Sequence, residues 1–368
     1  MAMCVTRSRQ RTLGALSHEE TEVVPFDSVG STQSSRVAGL VRSLGLPPEV
    51  ATSYLEGDFR YVEFGSREDR SRFREYLPGL PAEASVSDWG VGNLPLWTAE
   101  GYGAGNKRFE PLARVDTIAG LESYPFPDLE EAWRHAGLEA AVGAARGEGY
   151  VVVGQMSQTI LETAYCMRGI ERLFADFYER PDYVDFLFER IAERRRFQAR
   201  RFAEAGVDVL RVGDDIANQR NLLVGPKLYR ARIKPFHASV VAAARAVNPG
   251  IQVLYHSDGN LTDLLEDLIE IGVTAINPVQ PECMDLVETK RRFGGELTLW
   301  GCCPVQSVYA LGSREEVLEH VRLLRGRLAE GGGLVVQFYN MLLTPKVEEN
   351  LATFFRAFRA EPGEELVR

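Results

Sequence analysis

Short apolar runs alternate with long amphipathic segments from about residue 150 to the end of the chain. The runs are nearly continuous in Val, Ile and Leu, which is typical of parallel strands buried on both faces. They predict strands over 150–156, 207–215, 251–259, 273–279, 297–303 and 333–340. The segments between them have helical periodicity. Because strand and helix repeat without a linker, the pattern favours a closed (β/α)8 TIM barrel over an open doubly wound sheet.

The helix boundaries support this pattern. Helices are predicted over 180–206 and 313–332, and each ends at glycine, a common helix terminator. The second begins at Ser313, with Glu316 three residues later, which is the sequence of a capping box.

The first 150 residues are less regular and form the decoration of the barrel. An early strand is predicted within 23–30, and it carries Asp27. Neither a second domain boundary nor an internal repeat is visible. We therefore assign residues 1–20 to an N-terminal extension, 21–360 to a single α/β barrel domain and 361–368 to a C-terminal tail.

Composition limits the classes of partner. Of the 368 residues, 45% are hydrophobic and 26% charged, as in a globular protein with a large core. The net charge of −10 argues against binding to nucleic acid or to an anionic membrane surface. No segment reaches the about 18 apolar residues of a membrane span, and the N-terminus lacks the apolar core of a secretory signal. Five cysteines without disulfide-like spacing predict a reduced, cytoplasmic protein.

The ends of the predicted strands carry the candidate chemistry, because active sites of TIM barrels lie at the carboxyl ends of the strands. Acids, a histidine, thiols and amides are denser there than solvent exposure alone requires. The candidates are Gln155, Ser157, Asp214, Asp215, Gln219, His256, Asp258, Asn277, Gln280, Cys302, Cys303, Gln337, Tyr339 and Asn340.

His256 and Asp258 are two residues apart, so their side chains share one face of an extended strand. This spacing suits two metal ligands or an imidazole beside a carboxylate, whereas Asp258 as a helix cap is the alternative. Cys302 and Cys303 are candidates to complete a zinc site with His256. Adjacent strand residues point to opposite faces, so we expect at most one of them in the site. Both as small buried core residues is the other interpretation.

Two adjacent acids, Asp214 and Asp215, end another strand. One is expected to face the site as a base, a ligand or a hydrogen-bond acceptor. The other would cap a helix or pair with Arg220. The sequence does not decide between the two acids.

Several of these motifs resemble the uroporphyrinogen decarboxylase superfamily. They are "LESYPFPDLEEA" at 121–132, "GDD" with a following Gln at 213–219, "HSDGN" at 256–260, "LTLWG" at 297–301 and a late strand after "GGG". The resemblance runs from about residue 115 to "VEENLATFFRAF" at 347–358. It implies a (β/α)8 barrel with the site in its mouth.

The superfamily has two broad chemistries. Its true decarboxylases act on a tetrapyrrole without a cofactor and hold the substrate carboxylates with an early arginine-rich motif. The corresponding segment here, 24–36, reads "VPFDSVGSTQSSR" and has no arginine pair. Since a substrate with many carboxylates needs several cationic donors, the sequence argues against uroporphyrinogen itself.

The second branch comprises methyltransferases that pass a methyl group between a corrinoid and a thiol such as coenzyme M. Its His-x-Cys…Cys motif holds zinc, and zinc holds the thiol as a thiolate. Here Asp258 stands where the first cysteine would be, and Cys302 and Cys303 lie near the second. Aspartate is a harder ligand and less suited to thiol activation. The late strand, which ends in Ser-His-Asn in relatives, reads Phe-Tyr-Asn at 338–340 and lacks that histidine.

The resemblance favours a methyltransferase-like enzyme with zinc as the candidate metal, held by His256, Asp258 and Cys302 or Cys303. We expect a small-molecule substrate and a corrinoid protein as partners, and a homodimer is compatible with the sequence. The expected catalytic residues are His256, Asp214, Asp215 and Tyr339, and the expected substrate-binding residues are Asp27, Gln155, Gln219, Asn277, Gln280, Gln337 and Asn340. The first alternative is a cofactor-free decarboxylase of another acid, with His256 as proton donor. The second is a non-catalytic binding subunit.

Overall fold

The strands that form the barrel are all parallel. The computed structural model describes residues 2–28, 44–45, 55–97, 103–156, 158–339 and 344–360. Within these residues, eight strands form one sheet in the order β1-β11-β10-β9-β8-β7-β6-β2. They are β1 (Phe26–Asp27), β2 (Phe59–Val62), β6 (Val151–Gln155), β7 (Val209–Val212), β8 (Gln252–His256), β9 (Ala275–Asn277), β10 (Thr298–Cys302) and β11 (Leu334–Gln337). This order confirms the predicted (β/α)8 barrel.

Helices follow the strands and cover the outside of the barrel. The described α-helices are α1 (Ala2–Leu16), α2 (Ile118–Ser123), α3 (Leu138–Gly147), α4 (Leu161–Arg168), α5 (Ile170–Glu179), α6 (Pro181–Glu204), α7 (Pro226–Arg232), α8 (Lys234–Arg245), α9 (Leu265–Glu270), α10 (Leu286–Phe293), α11 (Val308–Leu311), α12 (Arg314–Leu323) and α13 (Pro345–Phe358). The capping box at Ser313 and Glu316 is present at the start of α12. A π-helical turn, Leu324–Leu328, continues α12.

The barrel closes between β1 and β2. The Asp58 amide donates to the Phe26 carbonyl at 2.8 Å, and the Asp58 carboxylate accepts the Phe26 amide at 2.8 Å. Gly57 permits this approach, since a Cβ there would lie 2.7 Å from the backbone nitrogen of Ser28. The early strand predicted within 23–30 is therefore part of the barrel.

Apolar side chains fill the barrel interior, and α1 covers its amino-terminal end. Val209, Leu254 and Trp300 belong to an interior cluster that Leu16 of α1 joins. The Arg9 guanidinium of α1 binds the Asp208 carboxylate through two 2.8 Å contacts. Arg9 and Leu16, within the segment assigned to an N-terminal extension, thus pack at the amino-terminal end of the barrel, opposite the end that carries the candidate residues.

A small antiparallel sheet is inserted between β2 and β6. It has the order β3-β4-β5, with β3 at Ser85–Val86, β4 at Gly92–Trp97 and β5 at Gly103–Phe109. Sequence periodicity did not predict it. In the part of the chain that the structure describes, no helix is long and apolar enough to cross a membrane.

Candidate metal centre at the barrel mouth

The two acids that follow β7 point in different directions. Asp214 is fully buried, and its carboxylate accepts the backbone amides of Ile160 and Leu161 and the Nε2 of His237, the last at 2.7 Å. Burial opposes ionisation of Asp214, but the hydrogen bonds, above all that from His237, outweigh it and hold the pKa below its usual range. Asp214 therefore anchors the start of α4 instead of facing the site.

Asp215 turns into the mouth and meets the end of β8. One Asp215 carboxylate oxygen lies 3.8 Å from His256 Nε2 and accepts the backbone amide of Asp258 at 2.9 Å. Asp215, His256 and Asp258 each offer one ligand atom, and these atoms all lie within 4.8 Å of one another. We call these three residues the metal group.

Gly213 allows these strand ends to come together. Its φ of +135° is accessible mainly to glycine, and a Cβ there would lie 2.5 Å from the backbone nitrogen of His256. β7 and β8 therefore approach each other closely just before Asp215 and at His256. The sequence Gly-Asp-Asp is matched to that local geometry.

A chain of amides fixes the orientation and the tautomer of His256. Asn277 must present its NH2 group to the carbonyl oxygen of Trp300, at 3.0 Å, because a carbonyl can only accept. The Asn277 Oδ1 is then the atom that lies 2.7 Å from His256 Nδ1, so Nδ1 carries the proton. His256 Nε2 is left with its lone pair directed toward the metal group, as metal-binding histidines require.

The same chain continues away from the metal group. The second NH2 hydrogen of Asn277 donates to Gln337 Oε1 at 2.7 Å, and Gln337 donates to the Asp27 carboxylate at 2.8 Å. Tyr61 and Trp300 also donate to Asp27, at 2.6 and 3.0 Å. Asn277, Gln337 and Asp27, which were predicted to bind substrate, therefore form a chain of hydrogen bonds that positions His256. We call this chain the His256 relay.

The two carboxylates of the metal group favour a bound cation, whereas the nearby Arg211 guanidinium opposes one. Burial, followed by the positive charge of Arg211, lowers the pKa of His256 to about 3, so the imidazole is neutral. Burial and the Asp215 charge raise the pKa of Asp258 to about 6. Burial is also the main cause of the raised pKa of Asp215. Desolvated carboxylates that repel one another ionise more readily when a cation lies between them.

A further observation supports a divalent metal ion at the metal group. Asp258 Oδ1 is buried and makes no hydrogen bond within the described residues. An unpaired buried carboxylate oxygen is costly, and coordination to a metal would satisfy it. One imidazole and two carboxylates are an acceptable donor set for zinc, although harder than a set with thiolates.

One buried arginine at the site is not among the residues predicted from the sequence. Arg211 on β7 points into the barrel, where its Nη1 donates to Gln155 Oε1 at 3.0 Å and its guanidinium hydrogen-bonds to Tyr339. The Tyr339 ring lies 4.9 Å from that of His256. The sequence does contain a sign of this arginine. Arg211 interrupts an apolar strand two residues after Val209, and Val209 faces the barrel interior.

Glu162 was also missed. It lies on α4, where its Oε2 accepts the Asp215 amide at 3.1 Å and its Oε1 accepts Gln158 Nε2 at 3.1 Å. Burial and the nearby charges of Asp215 and Asp214 raise the Glu162 pKa to about 7. A glutamate in a helix carries no sequence signal of this kind.

Cys302 and Cys303 do not join the metal group. Both thiols are buried in the apolar cluster outside the strands, and burial raises the pKa of Cys302 to about 12 and that of Cys303 well above its usual range. The backbone turns at Cys302, where φ is +60°, so its side chain leaves the interior face on which Trp300 lies. Among the described residues, the third position of the metal group belongs to Asp215.

The other predicted residues lie around the site. Gln280 accepts the Gly259 amide at 2.8 Å and so holds the turn after Asp258. Gln219 is exposed on the rim and donates to Gln306 at 2.8 Å. Asn340 and Ser157 lie outside the described residues.

Comparison with known proteins identifies the family. The family model described as uroporphyrinogen decarboxylase (URO-D) matches residues 113–360, more than half of the chain. The chain belongs to the uroporphyrinogen decarboxylase family. This confirms the resemblance recognised in the sequence, and the family supports an enzyme. No protein in the curated collection matches the chain.

One of the similar solved structures shares the fold over nearly the whole chain. A methyltransferase from Methanosarcina mazei superposes with a TM-score of 0.63 at 16% identity, covering 96% of this chain and 99% of that one. A psychrophilic family 10 endo-β-1,4-xylanase gives a TM-score of 0.35 at 11% identity, over 56% of this chain and 71% of that one. A dihydrodipicolinate synthase from Agrobacterium tumefaciens gives 0.31 at 14% identity, over 96% and 80%. At 16% identity, the first match supports the barrel fold and does not identify the reaction.

Proposed function

We propose that this protein is a metal-dependent methyltransferase that moves a methyl group between a small substrate, such as a thiol, and a corrinoid-type carrier on a partner protein. The metal group carries this proposal, and the lone pair of His256 Nε2 is its central feature. The family and the fold shared with a methanogen methyltransferase support the same class of reaction.

Asp215, His256 and Asp258 would hold the metal, with zinc as the expected ion. When bound, zinc would supply Lewis acidity that keeps a thiol or another heteroatom in its nucleophilic, deprotonated form. Three protein ligands would leave a coordination position for that atom, as in catalytic zinc sites. With two carboxylate ligands, we expect weaker selectivity for thiols than a thiolate-rich site has.

The surrounding residues would orient the substrate. Asn277 holds the His256 imidazole in one tautomer, and Gln280 holds the turn that presents Asp258. Arg211 and Tyr339 form a hydrogen-bonding wall beside His256. A neutral His256 whose Nε2 carries no proton has none to give to a substrate at the metal group, which does not suit the proton-donor role of the decarboxylase alternative.

The direct test is methyl transfer from methylcobalamin to a panel of thiols by the zinc-loaded protein. The reaction is monitored by the loss of the absorbance of methylcobalamin. We expect turnover that requires zinc and falls at least about a hundredfold in Asp258→Asn, since one metal ligand is lost. Cys302→Ala serves as the control and is expected to keep its activity. Turnover that is equal with and without metal would contradict the proposal.

A carboxy-lyase acting on another acid is the second candidate, and Arg211 favours it. This guanidinium is buried in the mouth, and its Nε makes no hydrogen bond in the described part of the chain. It could hold a substrate carboxylate. Release of CO2 by the metal-free protein, abolished in Arg211→Gln, would support this candidate over methyl transfer.

A further inference from the structure

A separate cavity lies between the small antiparallel sheet and α4. Its volume is about 150 Å³, enough for about five water molecules or one group the size of benzene. The residues that line it include Trp89, Asn93, Asn106, Arg108, Gln158 and Cys166. Neither the metal chemistry nor the His256 relay uses this cavity.

The cavity is lined with hydrogen-bond donors and a cation. Asn93, Asn106 and Gln158 supply amide groups, and Arg108 supplies a guanidinium. None of the described residues that line it is acidic. A planar guanidinium with neighbouring amides suits a carboxylate, which only accepts hydrogen bonds.

Arg108 is available for a ligand. Its guanidinium lies over the Tyr165 ring, 6.0 Å from the centroid, and makes no hydrogen bond or ion pair with the described residues. Another cation stands behind the opposite wall, where the Arg195 guanidinium lies 4.9 Å from the Trp89 ring. Two positive charges therefore lie at this cavity, that of Arg108 exposed to solvent, although the whole chain is acidic.

The Gln158 wall is held rigidly in an unusual conformation. Its φ is +55°, which non-glycine residues seldom adopt. Arg195 Nη2 donates to the Gln158 carbonyl at 2.8 Å, and the Thr163 hydroxyl donates to the same oxygen. Strained residues held in this way cluster at sites that bind ligands.

Glu162 connects the cavity to the metal group. Gln158 in the cavity wall donates to Glu162, and Glu162 accepts the backbone amide of Asp215. The positive charge of Arg108 also reaches Asp215. A hydrogen-bonded path therefore runs from the cavity wall through Glu162 to the metal group.

We propose that this cavity is the subsite for the carboxylate end of the substrate, with Arg108 as the residue that selects the anion. This inference rests on the proposed function, because it places the reacting heteroatom of the same substrate at Asp215, His256 and Asp258. It narrows the substrate class to small organic acids that carry a methyl-accepting or methyl-donating heteroatom.

The test uses metal-free protein, so that it does not depend on methyl transfer. Propionate, its neutral counterpart propanamide and inorganic phosphate are titrated by calorimetry up to about 50 mM, the range of weak fragments. We expect saturable binding of propionate, with propanamide at least about tenfold weaker because it lacks the charge. Stronger binding of phosphate than of propionate would overturn the assignment to a carboxylate.

Variants localise the binding. Arg108→Gln is expected to weaken propionate at least about tenfold, with Arg108→Lys in between, because lysine keeps the charge without the planar fork. Arg327→Gln, at an exposed arginine of the π-helical turn, is the matched control and should bind as the wild type does. Circular dichroism checks that all variants are folded. Equal binding by wild type and Arg108→Gln, or no binding at all, would overturn the proposal.

A second titration connects the two sites. Zinc-loaded protein is expected to bind 3-mercaptopropionate more tightly than either propionate or ethanethiol, since both ends of the molecule are then held. Suppose that 3-mercaptopropionate binds no more tightly than propionate, while propionate binding still depends on Arg108. That result would refute the proposed metal function and leave the anion subsite standing. Binding that is tightened by the thiol but does not depend on Arg108 would refute the subsite alone.

Discussion

At the scale of single residues, the amide of Asn277 determines what His256 can do. It contacts the Trp300 carbonyl, Gln337 and His256 Nδ1 at the same time, and so leaves His256 Nε2 as an acceptor. Partners of this kind typically change metal affinity by about 10–100-fold when removed. We therefore expect the metal affinity of the proposed site to depend on a residue outside the metal group.

We predict that Asn277→Ala lowers zinc affinity by about 10–100-fold, because His256 loses the acceptor that fixes its tautomer. Competition with a fluorescent zinc chelator measures the dissociation constant. Asn248→Ala is the control, since Asn248 caps a turn at the other end of β8 and donates nothing to the site. Equal affinity in Asn277→Ala and wild type would show that the relay does not position His256.

Asp258 makes zinc affinity depend on pH. Its pKa of about 6 means that protons compete with the metal below that value, whereas His256, with a pKa of about 3, stays neutral. Zinc affinity should therefore fall about fivefold between pH 6 and pH 5 and change little above pH 7. Asp258→Asn should bind zinc more weakly, with a flatter profile in this window. A wild-type profile flat from pH 7 to pH 5 would contradict this role of Asp258.

The individual residues differ in how far sequence predicts them. His256 and Asp258 were predicted as one face of a strand end, and the structure brings both into one group with Asp215. The choice between Asp214 and Asp215 needed the backbone turn at Gly213. Arg211 could have been found from its place in an apolar strand, but Glu162 acts through contacts that only the fold creates.

At the scale of elements, β7 and β8 form the site because their ends approach closely at a glycine. Gly213 lies against the backbone of His256 and has a φ of +135°. Any side chain there would push β7 away from β8 and separate Asp215 from His256. The geometry of the metal group therefore depends on the absence of a Cβ at this position.

We predict that Gly213→Ala destabilises the protein by about 2–4 kcal/mol, from its strained backbone and the clash with His256, and abolishes zinc binding. The matched control is Gly143→Ala in the middle of α3, where an added Cβ meets no atom within 4 Å. That change should stabilise the helix by about 0.5–1 kcal/mol. Urea unfolding measures both, and destabilisation of similar size in the two variants would refute the argument.

Strand and helix periodicity predicted the barrel but not its decoration. The buried strands after residue 150 were recognisable, since each is mostly apolar and buried on both faces. The antiparallel sheet was not, because β4 and β5 are rich in Gly, Pro and charged residues and are partly exposed. Such strands are determined by pairing, and pairing is a long-range property.

At the scale of the whole molecule, the metal group combines residues from strand ends that are far apart in the sequence. Asp215 and His256 belong to different β/α units and are brought together only in the folded barrel. A ligand that binds the folded state alone stabilises it by mass action. Zinc should therefore raise global stability and not merely order a loop.

We expect zinc at a hundred times its dissociation constant to stabilise the protein by about 2.7 kcal/mol. Thermal unfolding in the presence and absence of zinc measures the shift in Tm. His256→Ala should show no such shift, and neither should wild type with magnesium at the same concentration, since Mg²⁺ prefers all-oxygen octahedral sites. A zinc shift of full size in His256→Ala would indicate binding elsewhere.

The metal content of the purified protein, measured by inductively coupled plasma mass spectrometry, tests the central claim most directly. The metal group predicts about one zinc or similar divalent ion per chain in the wild type and in the Cys302→Ala/Cys303→Ala double variant. Asp258→Asn and His256→Ala should retain little or none. A folded wild type that contains no metal and takes none up, or a loss of metal in the cysteine variant alone, would contradict the assignment of Asp215, His256 and Asp258 as the ligands.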